Sequence, residues 1–325
     1  PGTISEVLSV PLITATHQLT PMIMIVALGG LALIGRLSFG YVIFAVLVQL
    51  VWLLYFAAPF VATALPGVIE ELGTVMDVAT SRLVSLDEVS EGQVWVSLAA
   101  RSLTVGVVLL AAIGGLRRLG VGRRDVAMAG LVLCPVFLMV ITPYGGEIVF
   151  RVYFFALPFI AFFAGAAFFP SAGKGRALTG TLALVVLVLA GAGFVLANNG
   201  KDRQYWFSPS EITAARWLYS DPPPGSLLVE GARNTPSQFM NYENFVYVPL
   251  AEEKPEDIEA YLKDPVNTLA RWLEESPAGG YIFITRSQKA AVDDLGLLPQ
   301  GALDAIEKGM MASPRFLLVY ATKDA

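Results

Sequence analysis

Charge is scarce in this chain. Only 15% of its 325 residues are Asp, Glu, Lys or Arg, against about a quarter in an ordinary soluble domain, and 55% are hydrophobic. That excludes a soluble fold throughout. Cysteine and histidine are scarcer still. The one cysteine, Cys134, lies in an apolar run, which excludes an intramolecular disulfide framework and a Cys-based zinc site and leaves the redox compartment open. The one histidine, His17, excludes a multi-His metal centre. A basic excess is missing as well: at a formal net charge of −5 there is no patch to neutralise phosphates, so nucleic acid is not an expected partner. No glycine-rich phosphate loop follows any predicted strand, which argues against a nucleotide site. The chain opens Pro1-Gly2, with no Lys/Arg-led signal region before its first apolar run. It is therefore expected to be the C-terminal part of a longer membrane protein, or to work beside a partner membrane subunit.

What charge there is divides unevenly. Residues 1–200 hold 10 basic and 9 acidic side chains, and residues 201–325 hold 12 and 18. The first stretch has the composition of a membrane domain and the second that of an acidic soluble domain. A membrane-crossing helix needs roughly 20 mostly apolar residues. Six stretches meet or approach this: 21–35, 41–65, 98–116, 126–142, 150–169 and 177–197. Short loops rich in Lys and Arg are retained in the cytoplasm. Arg36, then Arg117, Arg118, Arg123 and Arg124, then Lys174 and Arg176 fall in alternate loops, which predicts that these are inside. The acidic loops 66–97 and 143–149, both chain ends and the C-terminal domain would then lie outside. Within 66–97, Val68, Leu72, Val75, Ala79 and Leu83 recur at helical spacing and predict an amphipathic helix on the membrane surface or over the bundle.

From residue 201 onward the pattern is that of a small α/β layer. Ser208-Pro209-Ser210-Glu211 reads as a capping box opening a helix over 209–219. Strands are expected at 226–230, 281–285 and 316–321, with helices at 255–263, 266–275, 287–295 and 301–311. This predicts a mostly parallel sheet of three or four strands. Ligands of such sheets bind beyond the carboxyl ends of the strands, here 230–234 and 286–288. The expected fold is thus an α-helical multi-span membrane domain (1–200) followed by a small extracytoplasmic α/β domain (201–325).

Several residues could carry chemistry. Glu147 and Arg151, four apart at the start of a span, share a helix face and can pair. An arginine at membrane depth is a candidate functional group, here a phosphate or pyrophosphate ligand, and a structural ion pair is the plainer alternative. Arg101 is a second such arginine. His17 and Gln18, just before the first span, can hydrogen-bond a sugar or phosphate, or simply satisfy each other at the interface. Arg233, Asn234, Asn241 and Tyr242 lie in a loop whose amides and aromatics suit carbohydrate. The acidic run from Glu252 to Glu259 reads as a solvated helix start.

Taken in order, His17-Gln18-Leu19-Thr20-Pro21, Tyr144-Gly145-Gly146-Glu147 running into Arg151-Val152-Tyr153, the 208–218 segment SPSEITAARWL with Pro224-Gly225-Ser226, Ile284-Thr285-Arg286-Ser287-Gln288 and Ser313-Pro314-Arg315-Phe316 form a pattern. It resembles the C-terminal half of bacterial, mainly actinobacterial, polytopic glycosyltransferase-like proteins of the GT-C fold, over nearly the whole chain. The resemblance implies transfer of a sugar from a polyprenyl-phosphate or other lipid donor to an envelope glycan, on the outer face of the cytoplasmic membrane and among its lipids. GT-C enzymes generally carry a catalytic carboxylate in their first outer loop. That loop has no counterpart here, so no catalytic base is carried over. A divalent metal is left open as a cofactor. The alternatives are a non-enzymatic membrane-anchored scaffold or glycan-binding module and, third, a transporter.

Overall fold

The computed structural model of the protein describes residues 4–17, 19–70, 89–140, 147–171, 177–237 and 240–325. The chain divides into two compact units, one of Pro1–Leu83 with Ser102–Leu189 and one of Val84–Arg101 with Ala190–Ala325.

The first unit is helical. It opens with α1 (Ile4–Thr16), which the sequence reading did not mark, and α2 (Thr20–Leu33). The expected span 41–65 is broken. It forms α3 (Phe39–Val51), a π-turn over Trp52–Phe56, and α4 (Ala58–Glu70). Pro59 causes the break, because it has no N–H to donate and its ring clashes with the carbonyl four residues back. The long helix α5 (Glu91–Gly120) starts seven residues before the span predicted from hydropathy. It is followed by α6 (Val126–Leu133), which tightens into a 3-10 segment, Cys134–Val140, at Pro135 for the same reason. The bundle is completed by α7 (Ile148–Ala166), and α8 (Ala177–Asn199) runs from this unit into the second. The amphipathic helix expected in loop 66–97 falls mostly outside the described residues, and residues 91–97 form the first turns of α5.

Among the described residues four helical stretches are long and apolar enough to cross a membrane: Phe39–Phe56, Glu91–Gly120, Ile148–Ala166 and Ala177–Tyr205. Thr20–Leu33 and Val126–Met139 are apolar but shorter. Their outer faces stay apolar and uncovered, as lipid contact demands: Leu47, Leu54, Leu109, Leu184 and Leu187 are all exposed. Between helices the packing uses small residues. A Cβ on Gly114 of α5 would come within 2.6 Å of the Ala167 amide nitrogen, so the chain following α7 can approach only because that position is glycine. The same helix end is clasped by arginines. Arg117 donates to the Ala167 carbonyl at 2.5 Å, and Arg118 donates to the Pro170 carbonyl at 2.9 Å while pairing with Asp125. Two residues of the basic loop that signalled orientation therefore also satisfy carbonyls at the end of a neighbouring helix.

The second unit is the α/β layer. After α8 come the short α9 (Asp202–Tyr205) and α10 (Pro209–Ser220), then β1 (Leu227–Glu230), β2 (Val246–Pro249), α11 (Pro255–Lys263), α12 (Pro265–Glu275), β3 (Gly280–Phe283), α13 (Arg286–Leu295) and α14 (Ala302–Met311). The three strands are parallel in the order β2-β1-β3. Central β1 is buried on both faces, and so reads as an unbroken apolar run up to Glu230. Leu227 and Val229 pack with Tyr261, Leu269, Val292 and Ile306 on one face, and Leu228 packs with Leu218 and Tyr219 of α10 on the other.

Two expectations about the sheet need correction. β2 was not foreseen, because VYVP is only four residues long and ends in proline. Conversely, 316–321 is not a strand. It has no regular secondary structure, with Leu317, Leu318 and Val319 exposed, Tyr320 stacked on Trp217 (4.9 Å), and Asp324 accepting from the Arg286 amide and from Ser210. Side chains and the chain end anchor it in place of a backbone ladder.

Candidate functional site

His17, Glu147 and Arg151 come together in the first unit. His17 follows α1 and caps α2: its Nδ1 accepts from the Leu19 and Thr20 amides at 3.1 and 3.3 Å, two of the donors a helix start leaves unsatisfied. Arg151 lies one turn into α7. Its Nη2 and Nε donate to Glu147 Oε2 at 2.8 and 3.3 Å, the i,i+4 pair that the spacing predicted. Arg151 Nη1 stands 3.1 Å from His17 Nε2. Beneath them Leu19, Ile23, Leu138, Ile148 and Val152 form a buried cluster that fixes the start of α2 against the start of α7. Gln18 lies outside the described residues.

Proton counting gives this contact its chemistry. A neutral imidazole carries one ring proton. The direction of the Arg151–His17 hydrogen bond follows the tautomer: with the proton on Nδ1, His17 Nε2 accepts from Arg151, and with it on Nε2 both side chains present N–H groups on this side. In the second tautomer an anionic oxygen beside the pair can accept from both, and the start of α2 and the arginine charge favour it further.

The second unit gathers its polar residues where the sheet topology predicts a crevice. β1 connects to β2 on one side of it and β3 lies on its other side, so the carboxyl ends of β1 and β3 are where a ligand of such a sheet is expected. That position is filled by the protein's own residues. Glu211 is fully buried. It closes the predicted capping box with Ser208, and it also accepts from the Ser287 amide at 2.8 Å and from Arg286 at 3.1 Å. Its carboxylate thus occupies the start of α13, where a bound anion would sit. Burial, the largest influence, pushes the Glu211 carboxyl up, but the donors from Ser287, Ser208 and Arg286 together outweigh it and hold it below the usual range. Arg286 also donates to the carbonyls of Arg203 and Trp206 at 2.9 and 2.6 Å. Asn234 donates to the carbonyls of Gln204 and Ser287, which closes the junction from the other side.

The loop proposed for carbohydrate is divided by this topology. Arg233 and Asn234 lie past the carboxyl end of β1, whereas Asn241 and Tyr242 precede the amino end of parallel β2, at the other end of the sheet. Arg233 pairs with Glu252 (3.1 Å), Asn234 is a structural staple, Asn241 takes a left-handed conformation (φ 50°), and Tyr242 is exposed. Arg101 is exposed on α5 in the second unit. Among the described residues no three His, Cys, Asp or Glu side chains converge as metal ligands.

Glu230 was named only as a strand end. It is 3% exposed, and its Oε1 has no hydrogen-bond partner among the described residues. Burial pushes its carboxyl up to about 7, with Arg233 pulling against the rise and Glu252 adding to it. Its sequence signal was a charge closing an apolar run.

Comparison of the chain with protein-family models, characterised proteins and solved structures returns no match. Among the described residues, four helices long and apolar enough to cross a membrane and a small parallel α/β layer suit the class of helical membrane proteins.

Proposed function

We propose that the chain is a membrane glycosyltransferase of the GT-C kind, or the C-terminal part of one, which takes a sugar from a polyprenyl-phosphate donor and passes it to an envelope glycan. The single observation that supports this reading is the contact of Arg151 Nη1 with His17 Nε2, 3.1 Å apart at the start of an apolar helix. A phosphate on a lipid tail can accept from Arg151 and from a His17 that carries its proton on Nε2, and leaves its chain in the surrounding hydrocarbon. In transfer, the bond from the sugar to the phosphate breaks, a bond to the acceptor oxygen forms, and the hydroxyl proton passes to the departing phosphate. Arg151 and His17 stabilise the departing phosphate, and Glu147 orients Arg151. The alternation of basic loops supports an extracytoplasmic position, at the plasma membrane, for these groups and for the α/β unit.

The test is to incubate the full-length protein, in lipid, with polyprenyl-phosphate sugars and envelope acceptors. Sugar transfer or donor hydrolysis that is lost in Arg151→Met is the expected result. No turnover across a broad donor panel would contradict the reading. A scaffold role is the second reading, and one observation favours it: the position expected for a ligand in the α/β unit is already filled by Glu211.

A further inference from the structure

The second unit contains the first turns of α5 and the last turns of α8, and these pack on each other. A Cβ on Gly200 would lie 2.3 Å from Val96 Cγ2, so the two helices approach there as closely as glycine permits. Around this contact three large aromatic side chains are turned outward: Trp95 (67% exposed), Tyr205 (58%) and Trp206 (60%). None of them packs into the α/β core. Polar and charged groups stand beside them, with Lys201 and Asp202 half-buried or exposed and Arg286 over the Trp206 ring at 5.8 Å. Beyond this ring both helices become largely apolar and exposed, with Arg101 the one charged residue of α5 between Glu91 and Arg117. α5 has 30 residues, about 45 Å at about 1.5 Å each, while a hydrocarbon core takes only about 30 Å. A few turns of α5 therefore lie outside the hydrocarbon, and Trp95 sits where its polar beginning meets its apolar stretch.

The α/β layer is tied to this junction through one helix. Ser90, at the entrance to α5, donates its amide to the Asp294 carbonyl at 3.1 Å, and Arg203 pairs with the Asp294 side chain at 2.9 Å. Arg286, at the other end of α13, holds the Arg203 and Trp206 carbonyls. Both ends of α13 thus attach to the segment that carries the aromatic side chains.

We propose that Trp95, Tyr205 and Trp206 form a docking surface for lipid headgroups, and that this surface holds the α/β unit with α13 toward the bilayer and α12 and the Tyr242 turn away from it. Indole and phenol rings suit that layer because each has an apolar body and one hydrogen-bonding group. The inference rests on the apolar spans and is independent of the phosphate site at Arg151.

The test uses the full chain in vesicles of phosphatidylcholine and phosphatidylglycerol, with a nitroxide on one introduced cysteine at a time. The sites are Trp95, Tyr205 and Trp206, with Val108 and Leu187 as references in the hydrocarbon and Asn267 and Tyr242 as references in water. Buried Cys134 stays in place, and its background is read from the parent chain. Collision with oxygen, which concentrates in lipid, is compared with collision with a water-soluble nickel chelate. The three aromatic sites should give ratios between the two reference sets. Ratios equal to those of Asn267 and Tyr242 would overturn the proposal. So would shielding from both reagents, which would mean that protein covers the surface. Because the three sites are exposed and tested separately, misfolding of one variant leaves the other two to decide.

Discussion

Replacing Glu230 with Gln is expected to stabilise the protein at pH 8 by on the order of 3 kcal/mol and to leave it nearly unchanged at pH 4. The carboxyl is buried at the end of the central strand, with one oxygen unpartnered among the described residues, and burial pushes it up to about 7. An acid raised in this way binds its proton more tightly folded than unfolded. Between the unfolded value, about 4.3, and 7 the native state holds more protons than the unfolded chain, so stability falls as pH rises through that window and levels off above it. Gln keeps the shape and has no charge to desolvate. Thermal unfolding of the detergent-solubilised chain at pH 4, 6 and 8 reads the effect directly. Parallel pH profiles for parent and variant would show that Glu230 is ionised without cost, and would contradict the assignment.

The opposite sign is expected at Glu211. Glu211→Gln should lose about 3–5 kcal/mol at pH 7, the usual cost of breaking a buried charge pair from one side. An amide cannot accept from the Ser208 amide, the Ser287 amide and Arg286 together, and its NH2 would face one of those donors. Arg286→Met should cost less, because that guanidinium is partly exposed and leaves Glu211 its two amide donors. The pH dependence also reverses relative to Glu230. A carboxyl held below its unfolded value contributes stability that is complete above about 4.3 and is lost as pH falls through the folded value. The variant should therefore lack the acid limb of the parent curve. An unchanged acid limb, or a loss under about 1 kcal/mol, would mean that the junction between α10 and α13 does not depend on this carboxylate.

These two glutamates mark the limits of what the sequence discloses. Ser208-Pro209-Ser210-Glu211 announced a capping box, and the box is there, because capping is a local contest settled within four residues. The second half of the Glu211 role, at the start of a helix 75 residues further on, depends on a parallel sheet bringing β1 and β3 side by side. Local spacing carries no trace of it. Helices with strong periodicity and clear stops, such as Pro255–Lys263, were legible to the residue. The break in the 41–65 span was not, because hydropathy averages over Pro59 while the backbone cannot. Glu147 and Arg151 were found as a pair from their spacing of four. His17 was found as a separate candidate, and only the packing of α2 on α7 joins it to Arg151 across 134 residues. Arg233, Asn234, Asn241 and Tyr242 show the converse: they are neighbours in sequence, and the crossover between parallel strands carries them to opposite ends of the sheet.

The most direct measurement takes four proteins, the parent, Arg151→Lys, Arg151→Met and the double variant Glu147→Gln with Arg151→Met, and records on each the affinity for a polyprenyl phosphate and the melting temperature. If Arg151 holds the phosphate, Arg151→Lys weakens binding by about 1–3 kcal/mol through loss of the planar two-pronged donor, and both proteins carrying Arg151→Met lose it almost entirely, whatever their stability. A double variant that recovers the melting temperature of the parent and still binds polyprenyl phosphate with the parent's affinity would contradict the account, leaving Arg151 and Glu147 as a structural ion pair.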